Sequence, residues 1–246
     1  MAITFFAAGA VITAASGNVT VAQPASTLAD DIGIVVVSQF DNVVSTVPAG
    51  WNKVGELNNG TGLRTWWGWK RYGAAEGSLV ITHTAGGNII SQISVFRGVV
   101  RTGNPHETSS QSANASSATI TALAITPAAT DDHILFIWGA TRSDGVATYT
   151  GTNPTFTERM DAQDGAQIIS MGLASGDKND ATTTGGRTAT AARAGINNGY
   201  LVALVGATLP GRRANIGQAV QRASTWRRKC KGILVPDIWL PFPVGV

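Results

Sequence analysis

The sequence predicts an all-β protein: a jelly-roll-like β-sandwich built from two similar halves, followed by a C-terminal helix and an extended arm. Segments rich in Val, Ile, Thr and aromatic residues recur about every 8–12 residues, and clusters of Gly, Pro, Asn and Asp separate them. No stretch before residue 211 sustains the apolar periodicity of a helix. These two observations, together with an internal repeat, predict the fold class.

The strands are predicted from alternating or continuously apolar runs. In the first half we expect them at 18–22, 32–40, 63–72, 78–84 and 89–97. In the second half we expect them at 118–125, 133–140, 155–160, 166–175, 187–194 and 200–206. The first 17 residues are small and apolar and are expected to form a first strand and a loop.

The internal repeat relates residues 1–100 to residues 115–208. In each half a short strand leads to an Asp-Asp step and then to an apolar strand, once after Asp31 and once after Asp132. Each half then has a Pro-containing loop followed by an aromatic residue and closes with a strand that ends in Gly. Two such half-sheets facing each other make a sandwich, here a body of residues 1–210. The Asp pairs are expected to form turns, because adjacent side chains on an extended segment point in opposite directions.

The C-terminal residues 211–246 differ from the body in charge and in pattern. They carry seven Lys and Arg residues against one Asp, whereas residues 1–210 hold 11 basic and 14 acidic residues. A basic helix is expected from Asn215 to Gly232, followed by an apolar arm in which three prolines exclude a helix and a central strand. We expect the arm to lie in a groove of a neighbouring subunit; the alternative is that it packs on its own body.

The residues expected to fasten the subunit combine basic and large apolar side chains. They are Arg212, Arg213, Trp226, Arg227, Arg228, Ile233, Leu234, Ile238, Trp239, Leu240 and Phe242. Basic residues also bind phosphates, but the body is acidic and the arm apolar, which suits protein docking better than nucleic acid.

Residues that usually carry enzyme chemistry are few. The chain has one Cys and three His without ligand spacing, and no Ser lies in a nucleophile-elbow motif. We therefore expect no catalytic residues, no metal and no cofactor. The sequence has no run of 18 apolar residues, so we expect no membrane span. The N-terminus lacks the basic residues of a signal peptide.

The strand around Trp66 contains the most conspicuous aromatic residues. Alternation puts Trp67 and Trp69 on one face, which we expect to be core. The opposite face holds Trp66, Lys70 and Tyr72, which could stack on a sugar or on a partner's apolar side chain. Packing within or between subunits is the favoured interpretation of this face over sugar binding.

Four segments carry a resemblance to a known family. They are a small-residue start at 5–10, the Pro-Ala-Gly-Trp element at 48–51, the aromatic strand at 64–70 and the closing Phe-Arg-Gly at 96–98. In this order they resemble phage-encoded virion proteins of the minor tail, appendage or surface-decoration type. The resemblance implies a β-sandwich with a structural or adsorption role, and the basic C-terminus departs from it.

The expected function is therefore that of a non-enzymatic structural protein of a bacteriophage virion, tail-associated or capsid-decorating, assembling through its C-terminal arm. Its partners would be capsid, tail or fibre subunits and other copies of the chain. Its location would be the virion, after synthesis in the bacterial cytoplasm. The alternative is an adhesion module of the particle that binds a host-surface receptor or glycan.

Overall fold

The computed structural model describes residues 2–73, 76–84, 86–142, 146–166 and 168–207. Across these residues the protein is all β, with fourteen strands in two six-stranded sheets and one two-stranded sheet, and every pairing is antiparallel. The two larger sheets face each other, which confirms the predicted sandwich. The predicted helix and arm, with all eleven assembly residues, lie outside the described residues.

The first half of the chain builds the first large sheet. Its strands are β1 (Thr4–Ala8), β2 (Ile12–Ala14), β3 (Val19–Val21), β4 (Ile32–Gln39), β5 (Asn52–Asn59), β6 (Leu63–Arg71), β7 (Leu79–Ile81) and β8 (Ile89–Arg97). The strand order in this sheet is β1-β8-β4-β6-β5, with β2 also beside β8. The short strands β3 and β7 pair with each other as the separate two-stranded sheet.

The second half of the chain builds the second large sheet. Its strands are β9 (His106–Ala122), β10 (Asp132–Thr141), β11 (Val146–Tyr149), β12 (Thr157–Gln163), β13 (Ile169–Lys178) and β14 (Arg187–Leu204). The order is β11-β14-β10-β13-β12, and β9 also pairs with β14. Along residues 197–203, β14 lies between β9 and β10, because it pairs with both there.

The two halves share one strand order. The series β8-β4-β6-β5 of the first sheet matches β14-β10-β13-β12 of the second, and β1 and β9 extend it in the same place. In the sandwich β5 faces β9 and β14, while β12 faces β1 and β8. The halves are therefore related by an approximate two-fold axis between the sheets.

The predicted jelly-roll connectivity is not confirmed. A jelly roll joins two Greek keys across two sheets, whereas here each large sheet takes all its strands from one half of the chain. Between the halves, outside the named strands, an isolated backbone bridge joins Val99 to Gly206.

The central strands β4 and β10 are buried along their whole length. Side chains at alternate positions, such as Ile34 and Leu135, point into the core between the sheets. The intervening ones, such as Val35 and Phe136, pack in a second core on the outer side of their own sheet. A strand covered on both faces needs apolar residues at successive positions, which is the pattern of both segments.

The outer cores have covers of different construction. Over the first sheet lies the β3–β7 pair, which contributes Val21 and Leu79. Over the second sheet lie the end of β9 and the beginning of β14, paired to each other through Ile120 and Ala189. The body is thus layered on both sides of the central sandwich.

Candidate functional site

The predicted ligand face on β6 is closed in the structure. Trp66 is fully buried in the outer core of the first sheet, and its indole Nε1 donates a hydrogen bond to Ser45 Oγ at 2.7 Å. Tyr72 is 3% exposed and its hydroxyl bonds to Gln23. The favoured interpretation, that this face packs within the protein, therefore agrees with the structure, and the alternative of sugar stacking on Trp66 and Tyr72 does not. The alternation was predicted correctly, since Trp67 lies in the core between the sheets.

A set of ion pairs surrounds this buried face. Lys70 Nζ lies 2.5 Å from Glu76, and Lys53 Nζ lies 5.0 Å from the centre of the Trp66 ring. Glu56 bonds both Lys53, at 2.6 Å, and Arg64, at 2.9 Å. Burial alone would raise the pKa of Glu56, but the bonds from these two cations hold it below its usual value. Lys70 therefore lies in an ion pair with Glu76 at the edge of the outer core of the first sheet.

A cavity of about 300 Å³ opens at the end of the sandwich where β4 and β10 terminate. Phe40 lies at its wall and is 39% exposed. Arg142, with a φ of 56°, also lines it, together with Ser116 and Thr141. Thr141 Oγ1 accepts a hydrogen bond from Ile196 N at 3.0 Å, which fixes that part of the wall.

Asparagines beside the cavity join the two sheets. Asn59, at the end of β5, donates to the carbonyl of Asn114 at 2.7 Å. Asn114 in turn donates to Asn197 Oδ1 at 2.8 Å, and Asn197 is buried. A fixed wall with hydroxyls, a guanidinium and an exposed aromatic ring can hold a small polar ligand such as a sugar. Sequence patterns gave no sign of this cavity, because its residues come from five separate segments.

In each half of the described body a buried histidine pairs with an aspartate. His83 Nε2 lies 3.0 Å from Asp41 Oδ2, and His133 Nδ1 lies 2.6 Å from Asp177 Oδ1. Asp41 also accepts the backbone N–H of Gly87 at 2.7 Å. Burial lowers the pKa of His133, and Asp177 opposes that shift. Both imidazoles are at most 3% exposed, which does not suit them to meet a substrate. The His83 pair joins two loops, and the His133 pair joins opposite residues of β10 and β13.

The two predicted Asp turns have opposite electrostatic surroundings. Asp31 accepts Leu28 N at 2.8 Å, as predicted for a turn, and pairs with Arg97 at 3.0 Å. Asp132 is buried and faces Glu107. Burial, followed by the hydrogen bond and the charge of Glu107, raises the pKa of Asp132 to about 7. At the position that matches Arg97 the second half has Val205.

Over the residues that the structure describes, no group of three or more His, Cys, Asp or Glu side chains is arranged to hold a metal ion. The same residues contain no helix that is long and apolar enough to span a membrane. No family model, curated protein or solved structure matches the chain.

Proposed function

We propose that the protein is a non-enzymatic structural component of a bacteriophage virion, tail-associated or capsid-decorating, and that it assembles through residues 211–246. The observation that carries this proposal is the contrast between the body and the segment that follows it. The three hydrophobic clusters of the body are built from residues between Ile3 and Leu204. The body therefore has the core of a folded domain within its own sequence.

The C-terminal segment has a composition suited to a partner. It combines a net charge of +6 with large apolar residues, among them Trp239 and Phe242. Such residues are a liability in water and favourable when buried against another subunit. The body carries an excess of acidic residues, so a neighbouring copy offers opposite charge to the basic part of this segment. The proposed location in the virion is supported by the resemblance of the four segments to virion proteins.

Truncation tests the assembly step. We expect the full chain to sediment as an assembly of several copies, and a chain ending at Pro210 to remain folded and sediment as a smaller species. Analytical ultracentrifugation gives the masses, and circular dichroism shows whether the β signal of the body is retained.

A matched variant separates charge from apolar contact in this experiment. Replacement of Trp239 and Phe242 by Ser leaves the basic residues in place, and we expect it to reduce assembly as truncation does. If full and truncated chains contain the same number of subunits, residues 211–246 are not the assembly device and the proposal fails.

The cavity favours a second candidate, a glycan-binding adhesion module. The exposed ring of Phe40 beside Arg142, Ser116 and Thr141 provides a stacking surface next to hydrogen-bonding groups. In this proposal the sugar enters the end of the sandwich rather than the face of β6.

A glycan array with the purified protein tests this candidate. We expect a glycan hit to weaken at least about tenfold in Phe40→Ala, corresponding to the loss of one stacking contact. Val44→Ala is the control, because Val44 is also exposed and lies four residues away, outside the cavity wall. Equal binding by both variants would place the sugar elsewhere, and the absence of any hit would remove the candidate.

A further inference from the structure

Sheet edges present unpaired backbone groups, and proteins usually protect them with charges, bulges or short strands. Among the described edge strands of the large sheets, β5, β12 and β1 are protected in these ways. The edge strand β5 carries Lys53 and Glu56 and has a register shift after Lys53. The edge strand β12 carries three charged residues and a shift after Glu158. The edge strand β1 has five residues and a shift after Phe5.

The edge strand β9 has none of these protections along residues 108–114, although its register shifts on either side of them. Residues 108–114 pair with residues 197–203 of β14 without a shift in register. No charged residue and no proline occur from Thr108 to Thr126. Among the described strands, β14 is the one that pairs with β9. No described strand therefore pairs with the outer edge of residues 108–113, which carries regularly spaced backbone donors and acceptors. The carbonyl of the next residue, Asn114, is bonded by Asn59.

The side chains along this edge are small and neutral on both faces. Ser109, Gln111 and Ala113 are exposed, and the residues between them are Ser110 and Ser112, which are half-buried. Such side chains allow another strand to approach without steric or electrostatic conflict. Natural sheets avoid a long, uncharged edge strand unless another strand pairs with it.

We propose that this edge of β9 pairs antiparallel with the same edge of a second copy about a two-fold axis. A two-fold axis near Gln111 sets Ser109 opposite Ala113 and Glu107 opposite Ala115 of the other copy, so no like charges meet. The second sheets of two copies then form one continuous sheet. A second copy is the occupant that this self-complementarity favours, because an isologous contact requires a strand compatible with itself.

This interface goes beyond the proposed function and does not depend on residues 211–246. The truncation experiment can fail while the edge pairing is correct, and the reverse also holds. The pairing is tested in the full chain by disulfide trapping, because opposite residues of an antiparallel pair come within the reach of a disulfide.

The trapping experiment uses Cys230→Ser as the background, which removes the native Cys. Gln111→Cys alone places a cysteine at the axis, opposite its own copy. Ser109→Cys and Ala113→Cys together in one chain place each cysteine opposite the other in the second copy. Both proteins are oxidised under mild conditions. Oxidation joins two thiols and transfers two electrons and two protons to the added disulfide reagent. We expect a covalent dimer several-fold more abundant for at least one of these than for Thr20→Cys, an exposed strand position on β3.

A charge at the axis gives an independent readout. Gln111→Lys, added to the variant that carries both Ser109→Cys and Ala113→Cys, brings two ammonium groups together at the axis, and we expect the cross-link to be lost. Thr20→Lys in the same background is the control and should leave it unchanged. Equal cross-linking of the Thr20→Cys protein, no cross-link in either cysteine variant, or a cross-link indifferent to Gln111→Lys would overturn the proposal.

Discussion

The two halves of the body have the same strand order but supply their outer layer differently. In the first half the cover is a separate pair of short strands, β3 and β7. In the second half the long strands β9 and β14 run through both the large sheet and the cover. The comparison shows that the cover is a requirement of the central strand. Both β4 and β10 are apolar on two faces, so each needs a layer on its outer side.

Each outer core contains a large tryptophan ring, but the ring comes from a different strand in each half. In the first half Trp66 on β6 pairs with Val37 on the central strand. In the second half the tryptophan is on the central strand itself, where Trp138 pairs with Gly172. A Cβ at Gly172 would lie 2.3 Å from the Trp138 indole nitrogen. A large ring on one strand is thus accommodated by a smaller residue on its neighbour.

The largest expected effect is the loss of either ring. We expect Trp66→Ala and Trp138→Ala each to lower the free energy of unfolding by about 3–5 kcal/mol, since both rings are fully buried. Urea denaturation measures the change. Val80→Ala on the exposed face of β7 is the control, with a change within about 0.5 kcal/mol. A loss confined to one of the two Trp variants would show that the outer cores are not equivalent.

A smaller effect is expected from filling the space beside Trp138. Gly172→Ala places a methyl group against the indole, and we expect a loss of about 1–3 kcal/mol in unfolding free energy from overpacking. In Gly165→Ala the added methyl group meets no heavy atom within 4 Å, so stability should be nearly unchanged. Equal denaturation midpoints for the two variants would contradict the packing described for the second half.

The smallest effects test the two matching aspartates, and they have opposite signs. Asp31→Asn removes the pair with Arg97 and should cost about 1–2 kcal/mol at pH 7. Asp132→Asn should instead stabilise the protein at pH 8, by roughly 1 kcal/mol, because it replaces a buried carboxylate that faces Glu107.

The pH dependence follows from the raised pKa of Asp132. The folded state keeps this proton up to about pH 7, whereas the unfolded chain releases it near pH 4. The stabilising contribution is therefore complete below pH 4 and is lost as pH rises through 7. Thermal unfolding from pH 5 to pH 8 should show a flatter profile for Asp132→Asn than for the parent. Parallel profiles would mean that Asp132 titrates normally.

Much of the sandwich could be predicted from sequence because its central strands are strongly apolar. The predicted strand at 89–97 coincides with β8, and the alternation on β6 assigned Trp67 to the core. The Asp-Asp step at 30–31 precedes β4, and the one at 131–132 leads into β10, whose first residue is Asp132; these are the central strands of the two sheets. These features depend on the pattern of apolar residues within one segment, which is visible in the sequence itself.

The missed elements are polar or depend on distant segments. Strand β5 and the first part of β9 are rich in Asn, Ser and Lys, which are poor strand signals, and their pairing partners stabilise them. The segments 187–194 and 200–206 were predicted as two strands but are joined in β14. The burial of Trp66 and Tyr72 could not be predicted from β6 alone, because their cover comes from β3 and β7.

The separation of the halves has a consequence for synthesis. All pairings of the first sheet, from Thr4 with Arg97 inward, lie within the first hundred residues. Translation of the second hundred takes roughly 5–20 s at about 5–20 residues per second. The first sheet can therefore form on the ribosome while Trp67 and its neighbours still lack the opposing sheet. The nascent half exposes an apolar face for that time, so chaperone capture is expected before residue 200 emerges and not after.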